Sequence, residues 1–406
     1  MRRLFSLFAP LSLTLASVAH AEPPSSPPEK DSVAPASTRP SNGVECPTSR
    51  QRLAIAGDFV PYLGASSAES GRAAQRNFSF NLVGGYAGSL RGFELGSVFN
   101  LERGCVEGAQ VAGVFNAAGG NVRGLQVGGV ANLNEGSVRG LQVAGMVNVT
   151  GPLRAALQVG GTANIVAGDA LGAQFSGASN VVTGSVRGLQ LSGVANIAAY
   201  SVNGAQIGGA FNYGGDEVNG LQLAPINFSS GRVRGAQIGV VNIAEKSDAS
   251  VGVININTKG RTQVEGWTAV ETGFLAAALK HGGDHWHGLY GLGTRVSDPE
   301  LSLVLGLGGD MPIGEHFYFG ADAVGYWAPR FKKSNQLATL VQTRAYFGVR
   351  ILKPLSVFAG GSYNVFLADK GAKDWSPDYA ERANSAGEPR VRLWPGAIVG
   401  VRLLSE

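Results

Sequence analysis

The chain contains a tandem repeat of 16 residues, rich in small and apolar side chains, between about Arg91 and Ile243. Each copy carries a glutamine and an asparagine about six residues apart, and the first copy has Glu94 in the glutamine position. One copy reads Val122-Arg-Gly-Leu-Gln-Val-Gly-Gly-Val-Ala-Asn-Leu133. Such a repeat predicts one supersecondary unit that stacks on its neighbours. The polar positions that we expect to form a ladder are Gln110, Asn116, Gln126, Asn132, Gln142, Asn148, Gln158, Asn164, Gln174, Asn180, Gln190, Asn196, Gln206 and Asn212.

The joins between copies are rich in Gly, Asn, Asp and Ser, which supply the positive φ of tight turns. The 11 or 12 residues between joins therefore predict a strand. Eleven residues tilted by about 40° would span roughly 28 Å, close to the apolar band of an outer membrane. Alternation places Leu125, Val127, Gly129, Ala131 and Leu133 on a lipid-facing side, and Gly124, Gln126, Gly128, Val130 and Asn132 on an interior side.

Longer alternating segments follow Val251 and are rich in aromatic residues. Their apolar-out, polar-in pattern over about 11 residues is typical of membrane β-strands. The predicted strands are Phe317–Trp327, Val341–Ile351, Val357–Leu367 and Val391–Leu403, with a further one at Leu301–Leu307 before a turn at Asp310–Gly314. Two more strands are predicted ahead of the repeats, at Arg52–Leu63 and Phe78–Tyr86.

These patterns predict an all-β chain, interpreted first as one large antiparallel outer-membrane β-barrel of roughly twenty strands. The alternative is a β-solenoid of repeats followed by a smaller C-terminal β-barrel. Identical asparagines in every copy favour the parallel stacking of a solenoid. Against it, neither face of the repeat carries the Lys, Glu or Thr of a wetted outer surface.

The predicted organisation has five parts. Residues 1–21 read as a signal peptide that ends in Ala19-His20-Ala21, and residues 22–50 as a disordered Pro-rich arm. Leading strands occupy 51–90, the repeats 91–250, and antiparallel strands 251–406. Removal of the signal lowers the formal charge from +4 to about +2, which gives no reason to expect nucleic acid. The chain is 44% hydrophobic and 15% charged, as expected for an outer-membrane β-barrel or a tightly packed solenoid.

Candidate chemistry is sparse. A weak metal candidate groups His281, Asp284, His285 and His287 around a predicted turn. Cys46 and Cys105 suit an oxidising compartment, and a disulfide between them would pin the arm to the repeats. Because no catalytic motif occurs, we expect neither an enzyme nor a cofactor. Arginines near the repeat joins could attract anions or lipid phosphate, or could simply be solvated: Arg91, Arg123, Arg139, Arg187 and Arg234.

Several segments together resemble a known group of proteins. These are Phe59-Val-Pro-Tyr-Leu-Gly64, Asn77–Tyr86, Gly92–Asn100 and the Gly-Leu-Gln-Val-Gly-Gly copies. The order resembles the bacterial surface-repeat-containing proteins of Gram-negative envelopes, over about Arg52 to Trp327. The resemblance implies an outer-membrane or cell-surface location and carries over no catalytic residue.

The function expected on this basis is a structural, permeation or surface-contact role without catalysis. The alternative is an exported solenoid that acts as a binding or adhesion surface. Expected partners are outer-membrane lipid, the barrel assembly machinery and a surface ligand whose identity the sequence leaves open. One departure from the usual barrel is the chain end, Leu403-Leu-Ser-Glu406, which lacks a terminal aromatic residue.

Overall fold

The computed structural model describes residues 51–283, 285–327, 338–369, 374–383 and 390–404. In these ranges the chain is all-β apart from the short helix α1 (Glu69–Ala73). A β-solenoid comes first and a closed antiparallel barrel follows it. The signal peptide, the Pro-rich arm and Cys46 lie outside the described residues.

Each coil of the solenoid contributes one longer strand to a first sheet, sheet A, and one short strand to a second, sheet B. Sheet A contains β1 (Arg52–Val60), β2 (Leu63–Gly64), β3 (Gln75–Asn81), β5 (Ser89–Gly96), β7 (Val106–Ala112), β9 (Val122–Gly128), β11 (Val138–Ala144), β13 (Leu153–Gly160), β15 (Ala170–Ser176), β17 (Val186–Ser192), β19 (Val202–Gly208), β21 (Val218–Leu223), β23 (Arg232–Ile238) and β25 (Lys246–Val251). Sheet B contains β4 (Gly84–Ala87), β6 (Phe99–Glu102), β8 (Phe115–Ala118), β10 (Ala131–Asn134), β12 (Val147–Thr150), β14 (Ala163–Val166), β16 (Ser179–Val182), β18 (Ala195–Ala198), β20 (Phe211–Gly214), β22 (Ile226–Ser229), β24 (Val241–Ala244) and β26 (Ile254–Asn257).

Successive coils pair in parallel, so equivalent residues of the repeat lie beside one another. Gln126 is in register with Gln110 on one side and with Gln142 on the other. Asn132 has the same relation to the asparagines of its neighbours. The predicted leading strands at 51–90 belong to the same stack, since β1 pairs in parallel with β3 and β3 with β5.

The prediction that the repeats form a large antiparallel barrel is therefore wrong, while the all-β prediction is confirmed and the alternative fold is the one observed. Each predicted strand of 11 or 12 residues is in fact two strands that meet at a bend, here Gly129–Val130. The bend moves the chain into the other sheet and changes which side chains face inward. Val130 is consequently exposed, whereas Gln126 and Asn132 both point into the coil.

A glycine near the start of most of the longer strands permits this stacking, and in β13 Ala155 takes the positive φ instead. Gly124 has a φ of +134°, a conformation that L side chains rarely adopt. A Cβ atom at Gly124 would also collide with the carbonyl oxygen of Gly108 in the preceding coil. Glycine is thus required by backbone conformation and by the close approach of neighbouring coils.

The last coil is capped by the barrel. The backbone N–H of Asn255 donates to the hydroxyl of Tyr290 at 3.1 Å, and that of Asn257 donates to Nε2 of His281 at 2.9 Å. Both N–H groups lie on β26, the final strand of sheet B, where the next coil would otherwise pair. Capping the open edge in this way satisfies its backbone and protects it from pairing with another chain.

The barrel consists of eight described strands in antiparallel order and closes by pairing of the first with the last. These are β27 (Arg261–Ala269), β28 (Phe274–Gly282), β29 (Trp286–Arg295), β30 (Asp298–Ile313), β31 (Phe317–Trp327), β32 (Ala338–Leu352), β33 (Leu355–Ala368) and β35 (Arg390–Leu404), with the short β34 (Glu381–Arg382) paired to β35. The predicted alternation is confirmed in β31, where Phe317 and Phe319 are exposed and Asp322 is buried. The turn predicted at Asp310–Gly314 is wrong, because β30 continues to Ile313.

Candidate binding surface and the charged barrel interior

The interior of the solenoid holds two hydrogen-bonded ladders of amide side chains beside a column of buried apolar residues, such as Val122 and Val138. Nε2 of Gln126 donates to Oε1 of Gln110 at 2.8 Å, and Gln142 donates to Gln126 in the same way at 2.7 Å. The asparagines run in the opposite sense: Nδ2 of Asn116 donates to Oδ1 of Asn132 at 2.9 Å, towards the C-terminal end. All five of these side chains have no exposed surface.

The asparagine ladder is also tied to the backbone. Nδ2 of Asn132 donates a second hydrogen bond, 2.8 Å long, to the carbonyl oxygen of Val143 in the next coil. Amides of this kind satisfy one another inside the fold, so a buried polar core is stable here. The repeated amides are consequently structural and leave the outer surface as the part of the solenoid that meets other molecules.

The glutamine ladder ends at a carboxylate. Glu94 accepts hydrogen bonds from Nε2 of Gln110 at 2.8 Å and from Nδ2 of Asn81 at 2.9 Å. Burial raises the pKa of Glu94, an effect that the hydrogen bonds from Gln110 and Asn81 oppose. Burial raises the pKa of the neighbouring Glu102 well above its usual range, and the charge of Glu94 raises it further.

The outer faces of the solenoid are apolar, the reverse of the usual arrangement. Leu125 and Val127 of sheet A point outward and are half-buried, as are most equivalents in the other coils. The bend between the two strands of each coil forms an edge that we call the apolar corner. Its exposed members are Val114, Val130, Met146, Val194, Val240 and Val253. The opposite edge, which we call the polar edge, consists of the joins and exposes residues such as Glu135, Asp169 and Asp216.

Arginines form a column on sheet A beside the polar edge. Parallel register stacks this repeat position from coil to coil at about 4.8 Å, so Arg123 and Arg139 are direct neighbours, while Glu107, Leu171, Asn203 and Asn219 occupy the position in other coils. The side chains of Arg91 and Arg123 are 60% and 71% exposed, and Glu107 lies between them at 3.8 and 3.9 Å. Arg154 extends the column, although the irregular register of its copy concealed it in the sequence. The arginine column comprises Arg91, Arg123, Arg139, Arg154, Arg187 and Arg234.

The barrel interior holds a network of buried charges that sequence reasoning did not assemble. Among its described side chains, Lys280, Arg344 and Arg402 face Glu265, Asp310 and Asp322. Nη2 of Arg344 lies 2.6 Å from Oδ2 of Asp322, and Nζ of Lys280 lies 2.7 Å from Oδ2 of Asp310. Three cations therefore balance three carboxylates.

Aromatic rings complete the filling of the barrel. The guanidinium of Arg344 lies 4.2 Å from the ring centre of Trp267, and that of Arg402 lies 4.2 Å from the ring centre of Tyr318. Arg344 and Asp322 occupy paired positions on adjacent strands, which is the signal that could have revealed this ion pair. Finding it requires the strand register, which the sequence pattern does not specify.

The candidate metal residues are placed in different surroundings. Nδ1 of His281 lies 2.8 Å from the hydroxyl of Thr262, and its other ring nitrogen meets the solenoid. His287 points into the barrel, with Nε2 at 2.8 Å from Oδ1 of Asp322. His285 is exposed, and Asp284 lies outside the described residues. In the part of the chain that the structure describes, no group of three or more potential ligands converges on a metal site.

Cys105 is buried and disulfide-bonded. Because Cys46 lies outside the described residues, the pairing of these two cysteines stays a prediction. No helix of the described residues is both long enough and apolar enough to cross a membrane.

The fold and its surfaces define an all-β protein in which an amide-filled solenoid is joined to a charge-filled barrel. No known protein family, no curated protein and no solved structure matches the chain. The resemblance to surface-repeat-containing proteins therefore stays a prediction from the repeat motifs.

Proposed function

We propose that this chain is an exported, non-catalytic outer-membrane protein, in which the barrel spans the bilayer and the solenoid provides a binding surface beside it. The observation that carries the proposal is the placement of apolar side chains. Many apolar side chains lie on the outside of both the barrel and the solenoid, while the amide ladders and the charge network lie inside, packed beside buried valines and aromatic rings. Such a distribution suits contact with lipid and is unfavourable in water.

The barrel supports this proposal through its two faces and its two ends. Leu303, Phe319 and Val401 are among the apolar side chains exposed on its outer wall. Short connections of two or three residues join its strands at the end next to the solenoid. The other end has two short connections, 270–273 and 296–297, and two longer ones, 328–337 and 369–389. Longer loops confined to one end are typical of outer-membrane barrels.

The apolar corner of the solenoid faces the same apolar wall. A groove of about 860 Å³ lies between them, lined by Val240 and Val253 from the apolar corner and by Leu305, Leu307 and Trp327 from the barrel. Apolar walls on both sides of an open groove favour hydrocarbon over water. We assign the groove to lipid acyl chains, with the apolar corner in the hydrocarbon and the polar edge in water.

The arginine column fits the same orientation. Cations beside an apolar sheet face would lie near the phosphate groups of the lipid surface, where they gain electrostatic attraction. The neutral, filled interior of the barrel argues against permeation of solutes. A contact role is therefore the better conclusion than transport.

The test is the depth of two matched positions in the full chain. Val130→Cys places a thiol on the apolar corner, and Glu135→Cys places one on the polar edge five residues later. Each is labelled with a solvent-sensitive fluorophore, and the protein is reconstituted in vesicles with brominated acyl chains. We expect blue-shifted, quenched emission at position 130 and neither effect at position 135.

Equal emission at both positions would show that the apolar corner of the solenoid does not contact lipid. Gel mobility with and without heating, measured on the same samples, checks the barrel separately. A chain that stays soluble without detergent and shows no heat-dependent mobility would overturn the membrane assignment altogether.

A further inference from the structure

A small pocket opens at the end of the barrel where the chain enters from the solenoid. Its volume is about 190 Å³, enough for a compact ion with some water. The rim carries Arg261, Arg350 and Lys353, and the floor carries Tyr318 and Ser356. The rim residues Arg261 and Lys353 are exposed, whereas Tyr318 is 2% and Ser356 0% exposed. The pocket thus has exposed cations at its rim and buried polar side chains in its wall.

Two of those buried groups lack partners among the described residues. Neither the hydroxyl oxygen of Tyr318 nor that of Ser356 has a hydrogen-bond partner. Buried hydroxyls are almost always hydrogen-bonded in folded proteins, so a pair of unpartnered ones in a single pocket needs an explanation. Both can donate a hydrogen bond to an acceptor that enters the pocket.

The charge of the pocket points to the nature of that acceptor. Asp310 is the carboxylate in the lining, and its Oδ2 is already held by Nη1 of Arg402 at 3.1 Å and by Nζ of Lys280 at 2.7 Å. The rim contributes three positive charges, from Arg261, Arg350 and Lys353. They lie beside the charge network of the barrel interior, in which cations and carboxylates already balance. One nitrogen of Arg350 donates to the carbonyl oxygen of Glu315 at 2.9 Å, which leaves the guanidinium its full charge.

We infer that this pocket binds a phosphate group. A phosphate offers several acceptor oxygens to the two hydroxyls and a negative charge to the rim, and planar guanidinium groups match its geometry. The group could belong to free phosphate or to a lipid headgroup, since both present the same oxygens. This site is separate from the lipid-facing groove and does not depend on where the solenoid lies.

The probe is inorganic phosphate, titrated calorimetrically into the full chain in detergent micelles, with chloride as the reference anion. Tyr318→Phe removes a hydroxyl that has no partner in the fold, so folding should be retained. Lys353→Gln removes a rim charge. Arg123→Gln on the solenoid is the matched control. We expect about tenfold weaker phosphate binding for Tyr318→Phe and Lys353→Gln, and no change for Arg123→Gln.

Nanodiscs distinguish the source of the phosphate group. Phosphatidate discs that block inorganic phosphate, where phosphatidylcholine discs do not, would identify a lipid headgroup as the natural occupant. Unchanged binding in both kinds of disc would identify free phosphate. Absence of phosphate binding by the folded wild-type chain, or equal affinities in Tyr318→Phe, Lys353→Gln and the control, would overturn the assignment.

Discussion

Glu94 accepts a 2.8 Å hydrogen bond from Gln110 and thereby terminates the glutamine ladder. Each later glutamine as far as Gln222 accepts from the following coil and donates to the preceding one, whereas the first position receives hydrogen bonds from amide donors. Asn81 supplies the second of these donors. A carboxylate, which only accepts when ionised, is the residue type that suits this position.

Replacement of Glu94 by alanine should therefore destabilise the N-terminal coils. Two buried donors, on Asn81 and Gln110, would lose their acceptor, at a cost of about 2 to 4 kcal/mol. Hydrogen exchange of backbone amides in the first coils measures the effect. Glu135→Ala, on the polar edge, is the control and should leave exchange unchanged.

The raised pKa of Glu102 predicts a pH dependence with a definite sign. A carboxyl whose pKa is higher in the folded than in the unfolded chain binds its proton more tightly when folded. This stabilisation of the folded chain is fully present below the ordinary pKa range of glutamate. It is lost as the pH rises towards the raised pKa of folded Glu102. Thermal unfolding of Glu102→Gln should be less sensitive to pH in that window than unfolding of the wild type.

An unchanged pH profile in Glu102→Gln would contradict this assignment. The matched Glu135→Gln variant controls for the loss of one carboxyl from an exposed position.

Two adjacent residues of the repeat, Leu125 and Gln126, should differ in how well the fold tolerates a negative charge at their positions. Gln126→Asp would bury a shortened carboxylate and interrupt the ladder, at a cost of several kcal/mol. Leu125→Asp would leave the coil folded, because this side chain points outward. Circular dichroism melting of both variants measures the difference. In a lipid-facing strand of a large barrel the order of tolerance would be reversed, so that outcome would contradict the solenoid.

The barrel network should be sensitive to the loss of one partner and tolerant of the loss of both. Arg344→Met leaves Asp322 buried without its closest cation, which should destabilise the barrel by about 3 to 5 kcal/mol. The double variant Arg344→Met/Asp322→Leu should recover most of that loss. The temperature at which the gel mobility shifts reports both effects. Equal destabilisation in the single and double variants would show that the pair is not coupled.

The sequence located five of the eight described barrel strands, β30 to β33 and β35, and predicted the repeat poorly, for physical reasons. In β31 the alternation of Phe317, Phe319 and Asp322 records one environment on each side of a strand. In the repeat, the same alternation continues across the bend at Gly129–Val130, so two strands in different sheets imitate one long strand. Glycine is common both in tight turns and in closely stacked coils, so its presence did not show which of these two structures the repeat forms.

The charge network inside the barrel could not be predicted from the sequence for another reason. Arg402 lies on the inward face of β35, but its partner Glu265 lies 137 positions away in the sequence. A pairing over that distance depends on barrel closure and on the register of every strand between. The pocket lined by Tyr318 and Ser356 could not be predicted for the same reason, since closure of the barrel brings its lining residues together.

The opposed directions of the two ladders have a consequence for how such a chain can change in length. Aligned side-chain amides add their dipoles, so one ladder alone would accumulate polarity with each coil. Here every added unit of 16 residues would contribute one amide in each sense. Duplication or deletion of whole copies would therefore leave the electrostatics of the ends, at Glu94 and at the barrel cap, nearly unaltered. The number of coils can therefore change without altering the chemistry at either end of the solenoid.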